Sequence, residues 1–350
     1  MSLNLLNPFQ KFASGGGVNY WQEIGRATAT GATDTLNILG KSAMPYNLII
    51  SRAIPADSNG FVSALRVGKS GSLDVGSNYS RRRKIGSAGA ETATSQDAWY
   101  TGGGANGCRF QIAFIKNFDG YEKLADIYAV RQNSSGGAPT ITEMAGKWAE
   151  TSGTFDSVGL WNDESGSFGA ESEIVWLGFD PASSNSSAFT ELANSSLTGS
   201  ADFINSGTLS STEEYLVINE LVKQSSSYSA GIVFNGDGNG TTNYDFQYHT
   251  NDNYGDNSNT WKFTANYSSY SDGMQATTFV MNLDGQEKLG ISFTNEVDAN
   301  SASTAPAVST WAGKYETTGT DITSVQRYKE AGAGGGQLQS GTSMLVTGFS

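Results

Sequence analysis

The chain repeats one octapeptide. "NFDGYEKL" at 117–124 returns 165 residues later as "NLDGQEKL" at 282–289, with six of eight positions identical. Four further matches keep the same order along the chain: "GKWAETSGTFDSVGLW" (146–161) with "GKYETTGTDITSVQRY" (313–328), "GSNYS" (76–80) with "TTNYD" (241–245), "YNLIIS" (46–51) with "YLVINE" (215–220), and "IVWLGF" (174–179) with "MLVTGF" (344–349). Their offsets differ by a few residues, as loop insertions would produce. The sequence therefore predicts a tandem duplication, with domains at 19–185 and 186–350.

The segments inside each copy are typical of strands joined by polar turns. "RFQIAFIK" at 109–116 alternates bulky apolar residues with others, and "DG" after it favours a tight turn. The best helix candidate, "EEYLVINELVKQ" at 213–224, aligns with a strand-like segment and is rich in β-branched residues, so we predict a strand. The 43 glycines and 16% charged residues also favour short strands and turns. We expect an all-β protein of two tandem jelly-roll or related β-sandwich domains, each with seven or eight strands.

Two segments outside the strands are predicted as connections. Residues 1–18 form an extended N-terminal arm that ends near three glycines, Gly15–Gly17. The arm carries five large apolar residues that should find a surface: Leu3, Leu5, Leu6, Phe9 and Phe12. They pack either on their own domain or on a neighbouring subunit. The polar stretch 180–200 is predicted to link the two domains.

The charge of the chain limits its partners. The formal net charge is −13, whereas nucleic acid or an anionic membrane would require clustered Lys and Arg. The one basic cluster, Arg81–Lys84, is interpreted as a solvated loop or a local contact with acidic neighbours. No run of about 18 apolar residues occurs, so we expect no membrane-spanning segment. The N-terminus lacks the basic segment and apolar core of a secretion signal, so we expect the protein to be made and folded in a cytoplasm. The single Cys108 cannot form an intrachain disulfide.

No motif in the sequence predicts catalysis. His249, the only histidine, lies in a polar segment and is interpreted as a surface residue. One His and one Cys cannot build a shared metal site, and the two "GKS" segments lack the first glycine of a phosphate-binding loop. The repeated pairs Asp119/Glu122 and Asp284/Glu287 could serve acid–base chemistry, but a turn aspartate and a solvated glutamate beside a lysine is the simpler interpretation. We therefore predict a non-enzymatic protein without a cofactor.

Two binding sites remain as alternatives. Asn235, Asp237 and Asn239 alternate like the start of a calcium loop, but Phe246 stands where the bidentate acid belongs, and the first copy has no carboxylate at the matching place. The polar segment 247–261 carries Tyr248, Tyr254 and Trp261 among amides and carboxylates, a composition suited to glycan stacking or to an ordinary polar rim.

Several segments resemble a recurrent module of tailed-bacteriophage virion structural proteins, especially those from phages of marine bacteria and cyanobacteria. They are "NLLNPFQKF", "NYWQEIGRATATGATDTLNI", "FNGDGNGTTNYD", "GKW" with "ITSV", and "IVWLGFDP". The resemblance implies a virion location and a non-enzymatic role, most simply as a capsid decoration or cement protein attached partly by its arm. The partners would be the major capsid protein, other virion subunits and further copies of the chain, with trimers the common arrangement. The alternative is a tail-fibre or spike module that binds a host-surface glycan.

Overall fold

The computed structural model describes eleven segments of the chain. They are residues 21–102, 107–132, 137–180, 187–224, 230–237, 242–250, 253–260, 262–266, 274–296, 307–329 and 336–350. These described residues form 24 strands and no helix, so the all-β prediction is confirmed. The chain divides into two compact units between Ala188 and Phe189, beside the domain boundary expected at 185/186.

The two units have the same number and order of strands. The first contains β1 (Gln22–Thr28), β2 (Thr35–Ile38), β3 (Tyr46–Ala53), β4 (Ser63–Gly68), β5 (Tyr79–Ile85), β6 (Glu91–Gln96), β7 (Trp99–Tyr100), β8 (Arg109–Lys116), β9 (Lys123–Arg131), β10 (Thr140–Trp148), β11 (Ser157–Asn162) and β12 (Glu173–Phe179). The second contains β13 (Thr190–Ser196), β14 (Phe203–Asn205), β15 (Tyr215–Val222), β16 (Ala230–Phe234), β17 (Tyr244–Thr250), β18 (Asn253–Thr260), β19 (Thr264–Asn266), β20 (Met274–Met281), β21 (Lys288–Glu296), β22 (Ala307–Tyr315), β23 (Val325–Lys329) and β24 (Ser343–Phe349).

Each unit is a sandwich of one eight-stranded and one four-stranded sheet. The first unit has the orders β1-β12-β3-β8-β9-β10-β5-β6 and β2-β11-β4-β7, and the second repeats both orders twelve strands later. The set β1-β12-β3-β8 facing β2-β11-β4-β7 is the eight-stranded jelly-roll arrangement. The remaining strands extend the larger sheet on one side. The jelly-roll-like β-sandwich prediction is thus confirmed for both copies.

The expected strand count was too low, and two of the strands that it missed are polar. β6 (Glu91–Gln96) is exposed along most of its length, so its sequence lacks the alternation that marks a half-buried strand. β13 lies inside the stretch 180–200 that was predicted to be a linker, yet it pairs with β24 from Thr190↔Gly348 to Ser196↔Ser343. Backbone pairing at a sheet edge does not require apolar side chains, and the sequence pattern therefore missed these strands.

The repeated "GKW" and "GKY" segments show how each core is closed. Trp148 and Tyr315 point into their sandwiches and are almost fully buried. The glycine two positions earlier lies under an aromatic residue, Trp99 of β7 in the first unit and Phe263, just before β19, in the second. A Cβ on Gly146 would lie 2.8 Å from the indole Nε1 of Trp99, and one on Gly313 would lie 2.6 Å from the carbonyl oxygen of Phe263. Glycine is required here because two layers of backbone and ring approach too closely for a side chain.

Replacing Gly313 with alanine should lower the free energy of unfolding of the second unit by about 1–3 kcal/mol, because a backbone oxygen cannot move aside. Gly319→Ala is the matched control: nothing lies within 4 Å of the place its methyl group would occupy, and the expected change is below about 0.5 kcal/mol. Urea denaturation measures both variants. Equal stability of Gly313→Ala and the wild type would contradict this account of the repeated glycine.

Candidate functional site

The repeated octapeptide forms the turn between β8 and β9 and, in the second unit, between β20 and β21. The Asn117 side chain donates to the carbonyl of Phe155 (2.9 Å) and accepts from its N–H (2.8 Å). Asn282 accepts from the N–H of Ile322 (2.7 Å) and donates to the carbonyl of Glu213 (3.0 Å). Both asparagines are buried. The shared asparagine therefore ties the turn to backbone that is distant in sequence.

The lysine of the octapeptide is buried as well. Lys123 Nζ donates to the carbonyl oxygens of Phe118 (2.8 Å) and Tyr121 (2.6 Å). Lys288 donates in the same way to the carbonyls five and two residues before it, at 2.7 and 3.0 Å. Burial lowers the pKa of both ammonium groups, against the opposing effect of nearby carboxylates. Each lysine closes its turn by satisfying carbonyl groups that would otherwise lack donors.

The acidic residues of the octapeptide serve the same turns. The Asp119 carboxylate accepts from the N–H groups of Gly120 (2.8 Å) and Gly153 (2.6 Å), and Asp284 accepts from that of the following glycine (2.9 Å). Glu122 is exposed and pairs with a lysine of β10 at 3.1 Å. Glu287 is buried, so the prediction of a solvated glutamate fits the first copy and is wrong for the second. The difference arises because Glu287 lies 3.8 Å from the fully buried ammonium of Lys314.

Lys314 is the centre of a buried acidic cluster that the sequence did not indicate. Its Nζ lies 2.7 Å from Asp245 and 3.2 Å from Glu316, in addition to Glu287. Burial acts to lower the pKa of Lys314, but the hydrogen bond to Asp245 and the surrounding negative charge outweigh burial and raise it. The ammonium is therefore held in its charged form.

A second constellation recurs in both units. Asp74 Oδ2 accepts from the indole Nε1 of Trp148 (2.7 Å) and from the side-chain amide of Asn78 (2.8 Å). In the second unit, Asp237 Oδ2 accepts from the hydroxyl of Tyr315 (3.0 Å) and from the Asn243 amide (2.8 Å).

The expectation that the first copy lacks a matching carboxylate is thus wrong. Asp74 precedes its asparagine by four residues and Asp237 by six, so the two loops differ in length. The difference displaces the aspartates in the sequence alignment but not in the fold.

A polar cleft lies beside Asp237 in the second unit. Its volume is about 580 Å³, and it is lined by carboxylates, hydroxyls and backbone of three loops: Asn235, Asp237, Asp284, Tyr315, Thr317, Gly319, Thr320, Asp321 and Thr323. The cleft places the repeated turn next to the loop that precedes β23. Its lining suits a polar ligand that both donates and accepts hydrogen bonds.

The geometry of this region argues against the calcium interpretation. The Asn235 side-chain oxygen accepts from the N–H groups of Thr323 (2.8 Å) and Ser324 (3.3 Å), and Asp237 Oδ2 is held by two donors. Asn239 lies outside the described residues. Among the residues that the structure describes, no group of three or more His, Cys, Asp or Glu is arranged to hold a metal ion. Asn235 Oδ1 and Asp237 Oδ2 are therefore already engaged in closing the turn.

The predicted glycan segment is a hairpin of β17 and β18. Tyr248 lies opposite Gly255, and Tyr254 lies opposite His249. Because successive residues of a strand point to opposite faces, Tyr248 and Tyr254 lie on opposite faces of the sheet. Tyr248 stacks on Trp311, with 4.6 Å between ring centroids. The two tyrosines do not form one stacking platform, and Trp261 lies outside the described residues.

The surface assignment of His249 is wrong, because it is a buried residue of β17. The basic cluster Arg81–Lys84 lies on β5, where Arg81 and Arg83 both pair with Glu91 of β6. Arg83 also donates to the carbonyl oxygen of Tyr100 (2.7 Å). This part of the cluster makes the local contact with an acidic neighbour that the sequence suggested.

Three further expectations concern isolated features. Cys108 is buried and is not part of a disulfide. The arm residues Leu3, Leu5, Leu6, Phe9 and Phe12 lie outside the described residues. Within the described part of the chain, no helix has the length and apolar character needed to cross a membrane.

Comparisons with known proteins assign this chain to no family. No family model matches, and no curated protein matches. A solved structure of the two calcium-bound C2 domains of Extended-Synaptotagmin 2 is similar at 9% identity over 79% of this chain and 99% of that one. Its TM-score is 0.13, a level that supports no conclusion about fold or function.

Proposed function

We propose that the chain is a non-enzymatic structural protein of a virus particle, a decoration or cement subunit on the outside of a tailed-phage head. The observation that carries this proposal is what the two copies have in common. The shared Asn117/Asn282, Lys123/Lys288 and the Asp74 and Asp237 constellations all hydrogen-bond to backbone or to one another. Duplication has preserved the means of building rigid turns rather than a set of reactive groups.

The physical character of the chain supports such a role. Two sandwiches whose turns are closed by buried side chains need no cofactor to remain folded outside a cell. The net charge of −13 keeps exposed subunits soluble and mutually repelling. The resemblance to phage virion modules agrees with these properties. The partners would be the major capsid protein, other virion subunits and further copies of the chain, as a trimer at local threefold points.

The test is to locate the protein on its parent particle by cryo-electron microscopy and then to delete residues 1–17. Regular density across the head, with loss of capsid binding by the truncated protein, is expected if the arm is an anchor. Density confined to the tail would contradict the decoration role. Capsid binding that survives deletion would remove the arm from the attachment.

A second candidate function is recognition of a host-surface glycan, and the polar cleft of the second unit favours it. Asp284, Asp321 and Thr320 line that cleft with acceptors and a hydroxyl that can bond sugar hydroxyls. A glycan screen on the full chain tests the idea. A hit that is lost in Thr320→Val would support it, and retention of the hit in that variant would exclude the cleft.

A further inference from the structure

The loop that follows β10 in the first unit holds an ammonium group. Lys69 Nζ lies 2.8 Å from Glu150 Oε2 and donates to the hydroxyl (2.8 Å) and the carbonyl oxygen (3.2 Å) of Ser152. Glu150 in turn accepts from the N–H (2.7 Å) and the hydroxyl (2.6 Å) of Ser152. The loop therefore offers a carboxylate, a hydroxyl and a carbonyl oxygen to the three donors of one ammonium.

The second unit has the matching loop but not the lysine. The repeated segments align residues 149–156, after β10, with residues 316–323, after β22. Lys69 is the first residue of the connection from β4 to β5, whereas residues 235–243, which connect β16 to β17, include no basic residue. Both of these segments of the second unit line the polar cleft. The cleft therefore occurs where the first unit binds its own lysine.

The balance of charge differs between the two units at this place. Lys123, the octapeptide lysine of the first unit, lies near two carboxylates and near the ammonium of Lys69. Its counterpart Lys288 lies near the carboxylates of Asp284 and Asp321. Two ammonium groups thus lie beside two carboxylates in the first unit, and one lies beside two in the second. A further positive charge would complete the arrangement in the second unit.

Two carboxylates on the cleft keep open acceptors. Asp321 makes no side-chain hydrogen bond or ion pair with any residue that the structure describes. Asp284 uses Oδ1 to accept from the N–H of the following glycine (2.9 Å), and no described residue donates to its Oδ2. Asp237 is already held by the Tyr315 hydroxyl and the Asn243 amide. The open acceptors of the cleft are therefore those of Asp284 and Asp321.

We propose that the polar cleft of the second unit binds an amino sugar through its ammonium group. Asp284 and Asp321 accept charge-assisted hydrogen bonds from the ammonium, and the threonines of the lining bond the sugar hydroxyls. The volume of about 580 Å³ accommodates a sugar ring and not only an ammonium. Among the described residues, no group of three or more His, Cys, Asp or Glu is arranged for a metal ion, which favours an organic cation.

This inference rests on the glycan function proposed above and names the class of sugar. It is tested by calorimetric titration of the full chain at low salt and about pH 6, where aspartates are ionised and amines are protonated. The probes are a glucosamine tetramer and the same tetramer with every amine acetylated. The glucosamine tetramer should bind at least about tenfold more tightly than its acetylated form, and its affinity should fall as salt is added.

Two variants of the cleft should weaken binding of the glucosamine tetramer by at least about fivefold each. Asp321→Asn removes the charge with little change of shape. Asp284→Asn also removes a charge but keeps the Oδ1 acceptor that the turn uses. Glu191→Gln is the matched control, because it removes the same charge from an exposed residue of β13 and should leave the affinity unchanged.

The outcomes separate this inference from the glycan function itself. Equal binding of the two tetramers, with both lost in Thr320→Val, would preserve the glycan function and overturn the ammonium contact. Unchanged affinity in Asp321→Asn and Asp284→Asn would also overturn it. A glucosamine tetramer that fails to bind with a Kd below about 1 mM would overturn the inference. Tighter binding of a short acetylated lysine peptide would assign the cleft to a protein side chain and overturn the amino sugar.

Discussion

Replacing Arg327 with leucine is expected to lower the free energy of unfolding of the second unit by about 3–5 kcal/mol. Arg327 lies on β23 of the smaller sheet, and Glu220 lies on β15 of the larger one. Arg327 Nε donates to Glu220 Oε1 at 3.1 Å, and both side chains are 1% exposed. The ion pair thus joins the two sheets inside the core. Without the guanidinium, a buried carboxylate would have no opposite charge, and burying a lone charge is strongly unfavourable.

The first unit contains the matched control for this experiment. Leu160 occupies the register position of Arg327, because it pairs with Leu36 and Leu65 as Arg327 pairs with Ile204 and Ile232. Ser51 occupies the position of Glu220, as its pairing with Ile174 corresponds to that of Glu220 with Met344. The double variant Glu220→Ser/Arg327→Leu therefore installs a combination that the same fold already accommodates.

The double variant should return to within about 1 kcal/mol of wild-type stability, since replacing both partners of a buried pair leaves no uncompensated charge. Urea denaturation with hydrogen exchange of β15 and β23 measures the loss and assigns it to the second unit. Glu122→Ala, which breaks the exposed pair with Lys147, should cost less than about 1 kcal/mol. A double variant as unstable as Arg327→Leu would show that the cost comes from packing and not from charge.

Replacing Asn117 with alanine should destabilise the first unit by about 2–4 kcal/mol. The reason is that Phe155, which is fully buried, would lose the partners of both its N–H and its carbonyl group. Asn117→Asp keeps the acceptor, but it buries a carboxylate against the carbonyl oxygen of Phe155 without an opposite charge, so its cost should be at least that of alanine. Urea denaturation of the first unit measures the series.

The control for Asn117 comes from the other copy of the octapeptide. Tyr121→Gln introduces the residue found at the matching position of the second copy, Gln286, and should change stability by less than about 0.5 kcal/mol. If Asn117→Ala were as stable as Tyr121→Gln, the recurrence of the octapeptide could not be attributed to its asparagine.

The two asparagines and two lysines also show where sequence reasoning stopped. The repeat identified the octapeptide as a turn, because Asp–Gly is a strong local signal. It did not reveal that Asn117 and Lys123 are buried, since their partners are backbone groups that the sequence does not identify. The sequence did not reveal the pairing of Arg327 with Glu220 for the same reason: it does not identify which distant residues become partners. Those residues are 107 positions apart in the chain, and the corresponding residues of the first copy are uncharged.

The structure differs from the predictions at two sites, the glycan segment and the calcium loop, because strand register and loop geometry depend on the tertiary structure. Tyr248 and Tyr254 are close in sequence, but the pairing of β17 with β18 directs them to opposite faces. Asp74 and Asp237 are displaced in the alignment, but their loops bring them to equivalent aromatic partners in the two cores.

The sequence by itself determined the duplication, the all-β class and the identity of several of the longer strands. These follow from local alternation and from turn residues, which act over a few neighbouring positions in both copies. The tertiary structure alone decided which polar side chains are buried and which strands extend the larger sheet. It also decided that one unit holds the ammonium of Lys69 in a loop whose counterpart in the other unit lines a cleft. Those properties depend on which distant segments come together to exclude water, and a single strand's sequence contains no information about its neighbours.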